Sequence, residues 1–242
     1  MKQIWTVAKR ELKSFFDSLI AYIMIVAFLG FSGFFTWLYG SDVFFVGQAS
    51  LQTFFEIAYW TIFFFIPALT MRLFAEENRT GTIELLMTRP ITDWQIVFGK
   101  FMSTFILICI CLALTIPYYI TVAFLGNIDH GAVISGYIGL LLMSAAYISL
   151  GVFASSITNN QIVAFLVTLF IGIFFHLICG ILSHSVSGIL SQIFNYLSLQ
   201  THFNSIARGV IDTRDLIYFA SIIFAGLVAT EAVLSKRNIS DN

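Results

Sequence analysis

Residues 101–125 read FMSTFILICICLALTIPYYITVAFL, with no charged side chain anywhere in the run. A helix rises about 1.5 Å per residue, so about 20 apolar residues cross a hydrocarbon core of roughly 30 Å. Strands do not fit, because an open edge leaves its backbone unsatisfied in lipid and a barrel strand alternates apolar with polar residues. The run therefore reads as a transmembrane helix. Five more runs qualify on the same grounds, at about 19–39, 53–73, 133–156, 162–182 and 216–234. The predicted fold is an all-α polytopic membrane protein with six transmembrane helices.

The bulk composition agrees. The 242 residues are 59% hydrophobic and 10% charged, against about 45–50% and about 25% in soluble domains. An ordinary soluble enzyme is excluded. The 12 basic and 13 acidic side chains nearly cancel, so no field marks the chain as a nucleic-acid binder. With 3 Pro and 16 Gly there is no low-complexity segment, and the 27 Phe suit a chain solvated by lipid and by its own helices.

The position of the charges sets the orientation, since short loops rich in Lys and Arg stay in the cytoplasm. Six spans place both termini on one side. That side collects Lys2, Lys9, Arg10, Lys13, Arg72, Arg79, Arg89, Lys100, Lys236 and Arg237, and the other side only Arg208 and Arg214. Both termini are thus predicted to be cytoplasmic. Residues 1–18 precede the first apolar run, which reaches Tyr39 without a small-residue cleavage site, so it reads as a retained span.

Within residues 1–18, Ile4, Ala8, Leu12, Phe15 and Leu19 recur at spacings of three and four, while Lys2, Lys9, Arg10 and Lys13 share the opposite face. This pattern predicts an interfacial helix lying on the inner leaflet, attracted to anionic lipids. The segment 75–90, AEENRTGTIELLMTRP, is the sizeable polar stretch between spans on the same side. Gly81 breaks the helix leaving the second span, Thr82 can cap a short helix, and Pro90 ends it. Thr92 with Gln95 resembles a capping box opening the third span. The short helix Thr82–Thr88 presents Ile83, Leu85, Leu86 and Met87 outside lipid. It either packs on the protein's own span ends or docks a soluble partner.

Other polar groups carry less. The turn 155–161, SSITNNQ, has no charge and is assigned no chemistry. Residues 183–215 form the longest outer connection, with an amphipathic stretch at Ile189, Ile193, Tyr196 and Leu197, then His202, Arg208, Asp212, Arg214 and Asp215. The latter are expected to form local, solvated salt bridges. Gly99-Lys100 is not a P-loop, because Trp94 stands where the first Gly would be and Phe101 where Ser or Thr would be. No catalytic residue and no metal site is predicted. Cys109, Cys111 and Cys179 have neither redox nor zinc spacing, and the first two point about 200° apart on a helix.

Glu56 and His176 are ionisable groups inside spans and so candidate functional residues. They either line an outer cavity, even as a pair, or serve as a snorkelling acid and a satisfied packing histidine. Pro67 and Pro117 are expected to bend spans two and three. Small residues at Ser135, Gly136, Gly139, Ser144, Ala145, Ala146, Ser149, Gly151, Ala154 and Ser155 mark span four as a packed interior helix.

The segment 71–93, through MRLFAEE, RTGTIELLMTRP and ITD, resembles the coupling helix of ABC-2 type ABC exporter membrane subunits. With GYIGLL at 136–141, FASSITNNQIVAF at 153–165 and HFNSIARGVID at 202–212, the chain more narrowly resembles the gliding-motility-associated ABC permeases of Bacteroidetes. The resemblance spans nearly the whole chain, read as one membrane domain over 1–242. It implies a bacterial inner-membrane permease subunit, with ATP and Mg bound by a separate cytoplasmic ATPase that docks on Arg79, Thr80, Gly81, Thr82, Ile83, Glu84, Leu85 and Leu86. It also implies a second transmembrane subunit, as a homo- or heterodimer, which in the motility subtype carries a large periplasmic domain. Three roles fit: export of a solute, export of lipid or hydrophobic compounds, and mechanical transmission to a periplasmic partner without solute transport.

Overall fold

A computed structural model describes residues 2–39, 49–82 and 91–240. The described residues are almost entirely helical, and six helices are long and apolar enough to cross a membrane. The chain is a multi-pass membrane protein.

The amphipathic start forms α1, Lys2–Asp17, with Val7, Ala8 and Phe15 buried and Lys2, Lys9 and Lys13 exposed. Leu19 then takes a left-handed turn (φ 59°) into the first span, α2, Ile20–Trp37. The turn leaves Leu19 exposed, so Leu19 does not extend the apolar stripe of α1. The second span, α3, is Gln52–Thr70, followed by a tight turn and the short α4, Ala75–Thr80. The break in this span therefore comes at residues 71–74, before Gly81. Gly81 ends α4 instead, with φ 70°, a conformation that glycine adopts without steric cost.

The third span begins earlier than its apolar run. Thr92 and Gln95 form the expected capping box and start α5, Asp93–Ala113. Pro117 does not kink a continuous helix. The chain breaks at Leu114–Thr115, and Pro117 sits in the first turn of α6, Ile116–Leu125, where its missing N–H has no partner to lose. Pro67 lies inside α3 as expected.

Span four, α7, is His130–Ser156, opened by Asp129 accepting from the Gly131 and Ala132 amides. Span five is α8, Gln161–Ile173, then one π-helical turn, Phe174–Ile178, then α9, Cys179–Ser185. Two helices follow outside that span, α10, Ile189–Leu197, and α11, Leu199–Ala207. The last span is α12, Thr213–Ser240.

The small-residue pattern correctly marks α7 as the interior helix. It packs against α12, α3, α11, α8 and α5. A Cβ on Gly151 would clash with Thr70 of α3, and one on Gly226 of α12 would meet Ser149 Oγ at 2.7 Å. These helices touch backbone to side chain, which is how membrane helices gain packing without a hydrophobic drive between them. The outer spans are lightly covered, with Phe124, Ile162, Phe170, Ile181 and Phe224 exposed as lipid or a second subunit would require.

Gly151→Val is expected to prise α7 from α3 and to cost about 1–3 kcal/mol, as overpacking does. Thermal unfolding in mild detergent measures it. Gly30, where an added Cβ would meet nothing within 4 Å, supplies the matched control as Gly30→Ala. Equal melting of both variants would refute close packing at Gly151.

Candidate functional site

Polar and charged side chains gather at the end of the bundle that holds α1, the end of α3, α4 and the start of α5. Gly99 is the contact point between α1 and α5, since a Cβ there would lie 2.7 Å from the Val7 side chain and 3.1 Å from the Ile4 carbonyl. This close approach brings α1 over Lys100.

Lys100 is wholly buried. Its Nζ lies 2.9 Å from Glu77 Oε1 of α4 and 3.4 Å from Glu11 Oε1 of α1. It also donates to the Leu73 carbonyl at 2.5 Å and sits 4.9 Å from the centre of the Phe74 ring. Arg10 completes the group, pairing with Glu11 and with Glu77 at 3.3 Å. Burial pushes the Glu11 carboxyl up, but Lys100 and Arg10 together outweigh it and hold the group below the usual carboxylate range. The result is a four-membered charge cluster that joins three separate helices.

A second set of bonds holds α4 from the other side. Ser155 Oγ, near the end of α7, accepts from the Phe74 and Ala75 amides at 3.0 and 3.1 Å and donates to the Met71 carbonyl at 3.1 Å. Asn78 Nδ2 donates to the Ser156 and Thr158 carbonyls at 3.3 and 3.1 Å. Ser155 thus supplies the start of α4 with the acceptor that its own side chains do not, satisfying amides the helix cannot pair. The turn 155–161, assigned no chemistry from its sequence, is an anchor for the segment ahead of Gly81.

Beside the cluster opens a cleft of about 540 Å³, lined by Arg10, Glu11, Ser14, Arg72, Glu76 and Glu77 among others. Arg72 bridges α1 to this region by donating to Ser18 Oγ at 3.1 Å and Ser14 Oγ at 3.3 Å, with Glu76 3.7 Å away. Arg10 is therefore not simply a lipid-facing cation; it is half-exposed and pairs inward.

Of the residues expected to dock a partner, Arg79, Thr80, Gly81 and Thr82 are exposed at the end of α4. Thr80 Oγ1 bonds to the Glu76 carbonyl and lies 2.9 Å from Thr82 Oγ1. Ile83, Glu84, Leu85 and Leu86, with the short helix to Thr88, lie outside the described residues. Glu56 and His176 are not brought together. Glu56 is exposed and accepts from Gln52, whereas His176 is buried on the π turn against Tyr59, Phe63 and Tyr147, both ring nitrogens without a partner. His176 is thus not a satisfied packing histidine. Of the residues expected to form solvated salt bridges at the outer connection, His202 and Asp215 lie in contact, 2.6 Å apart, but they are buried rather than solvated.

Sequence reasoning misses Lys100, which reads only as one of the orienting basic residues. A lysine flanked by Phe98, Gly99 and Phe101, at the head of the apolar stretch, is the available signal.

Lys100→Met is expected to destabilise the protein by about 3–5 kcal/mol, because it strands two carboxylates in a buried site. Adding Glu11→Gln and Glu77→Gln should recover most of that loss in a thermal unfolding assay. A Lys100→Met protein as stable as the parent would show that the cluster holds nothing together.

Comparison with individual curated proteins gives no match. The family model of the ABC-2 family transporter protein matches residues 5–234, from α1 through most of α12. With a match over nearly its whole length and six helices apolar enough to span a membrane, the chain belongs to the ABC-2 family, as a membrane permease subunit of an ABC transporter.

Proposed function

We propose that the chain is one half of a transmembrane dimer in a bacterial inner membrane, and that segment 79–86 receives movement from a separate cytoplasmic ATPase that binds ATP and Mg. The observation that carries this reading is the double attachment of α4. One side is tied to α1 and α5 through Lys100, and the other to α7 through Ser155 and Asn78. A force applied beyond Gly81 is then delivered to spans two, three and four together. In this reading Ile83, Leu85 and Leu86 are buried against the ATPase, and Arg79 and Glu84 fix orientation by charge.

What the cycle accomplishes has two readings. The exposed span surfaces are apolar, with Phe124, Phe170 and Phe224 outermost, which suits a lipid or hydrophobic-compound substrate at the dimer face. The outer end favours mechanics: α11 folds back into the bundle, with Phe203 stacked 4.9 Å from Tyr59, and so occupies the space a polar exit would need. The resemblance to gliding-motility permeases supports the mechanical branch, acting on a periplasmic partner. ATP-dependent uptake of lipids and polysaccharides into inverted vesicles separates the two.

Leu85→Asp is expected to abolish co-purification of the ATPase while leaving the melting temperature of the membrane subunit unchanged. Normal recovery of the ATPase with that variant would sink the coupling proposal.

A further inference from the structure

At the end of the bundle away from the termini, His202 on α11 is buried between α10 and α12. Its Nδ1 lies 2.6 Å from Asp215 Oδ1 and its Nε2 lies 3.0 Å from the Tyr196 carbonyl. A carbonyl and a carboxylate only accept, and a neutral imidazole has a single N–H. Making both contacts at once therefore requires one proton more than a neutral imidazole and a carboxylate carry, held on the His202 ring or on Asp215.

We propose that His202 and Asp215 form a proton-binding site, and that the bound proton docks α10 onto the corner of α11 and α12. As imidazolium, His202 donates to Asp215 and to Tyr196 together. When it loses a proton it keeps one of the two. If Nδ1 keeps its hydrogen for the carboxylate, the Nε2 lone pair faces the Tyr196 carbonyl, and the two repel.

The surroundings suit a cation at this position. The Tyr218 ring stacks on the imidazole with centroids 3.9 Å apart, presenting its π face to the charge. Asp215 Oδ2 is buried without a hydrogen-bond partner, so this carboxylate depends on His202 for charge compensation. Among the described residues, the other titratable groups on this side are Tyr218 and, beside Tyr218, Cys179 of α9 and Tyr59 of α3; Tyr196 contributes its carbonyl from α10. Arg208, Asp212 and Arg214 lie on the adjoining connection, with Asp212 and Arg214 exposed.

α10 has reason to move when the proton leaves. None of its residues is buried, and Ile189, Leu190, Ile193 and Tyr196 are exposed. Its last carbonyls are held by polar contacts: Tyr196 by His202, and Leu197 by the Tyr218 hydroxyl at 2.6 Å. At its start, Ser191 Oγ donates to the Ser183 carbonyl at 2.6 Å. Thr201 Oγ1 of α11 also donates to Asn195 Oδ1 at 3.1 Å, so removing one of these few bonds loosens the end of the helix that joins it to α11.

The test uses the full chain in lipid nanodiscs with ¹⁵N-labelled histidine, compared at about pH 5 and about pH 9, on either side of the ordinary imidazole range. The protein has 4 histidines, and the His202 signals are those lost in His202→Gln. Both nitrogens of His202 should be protonated at the acid end and one bare at the alkaline end. Over the same range, amide exchange at residues 195–200, corrected for its intrinsic pH dependence, should rise by about tenfold, the scale set by one charge-assisted hydrogen bond. His202→Gln should exchange at one rate throughout, and Tyr218→Phe should exchange faster yet keep the pH dependence. A bare ring nitrogen at the acid end would overturn the proposal. So would exchange in the parent chain that does not change with pH, a measurement that needs no variant to fold.

Discussion

A lysine ammonium taken out of water has to be neutralised where it stands, and the basic end of this protein is organised around that requirement. Moving such an ion into a low-dielectric interior carries an effective penalty of several kcal/mol. Lys100 meets it with two carboxylates, a backbone carbonyl and an aromatic face. None of these partners is on α5. Glu11 comes from α1, Glu77 from α4, and Leu73 and Phe74 from the turn between α3 and α4. Because the partners are imported, the charge fixes the positions of three elements that apolar contact alone would leave free to slide. Apolar packing is non-directional, whereas an ammonium with three donors selects one arrangement.

That arrangement matters because α4 is too short to hold itself. A helix of six residues has almost all of its amides and carbonyls at an end. Ser155 satisfies part of this deficit from the α7 side, and Asn78 of α4 ties the helix to the Ser156 and Thr158 carbonyls. α7 in turn is the most buried span, and near its other end Gly139 touches Phe203 and Ile206 of α11. One helix of small residues therefore contacts both the polar anchor at the basic end and the re-entrant helix at the far end. Small side chains make this possible, since bulkier ones would separate the backbones on every side.

The legible part of this architecture is the part written in periodicity and punctuation. Uninterrupted apolar runs mark the six spans, Thr92 and Gln95 mark the start of α5, and the glycines and serines of 135–155 mark the interior helix. The breaks within spans are less legible. Pro117 signals a disruption but not whether it bends a helix or begins one, and nothing local announces the π turn at Phe174–Ile178. The least legible features are polar contacts between residues far apart in the chain. Ser155 reads as a turn residue until residues 71–75 are beside it, and Lys100 reads as an orienting charge until Glu11 and Glu77 are beside it. That the polar residues of 202–215 interact locally is legible from their closeness in sequence, while the particular contact of His202 with Asp215 and its burial depend on α11 folding back. The docking role proposed for Ile83, Glu84, Leu85 and Leu86 rests on their sequence alone.

The two ends of the bundle satisfy their polar groups differently, and this bears on where the fold can yield. Among the described residues of the basic end, nearly every buried side-chain donor and acceptor is matched, Glu77 Oε2 being left over. Further along, the Tyr59 hydroxyl and both nitrogens of His176 are buried without partners, at a π turn. Each unsatisfied buried group costs about 1–3 kcal/mol, and a π turn carries one residue more than the helix needs. The better-satisfied end is therefore the one that leads into the proposed coupling segment, and the less satisfied region lies in span five. Displacement of a well-bonded anchor is passed on rather than absorbed, and it is expressed where the opposing free energy is smallest. Under the proposed coupling, that place is the contact between Tyr59 of span two and His176 of span five, whose rings lie 4.7 Å apart with their polar atoms unpartnered.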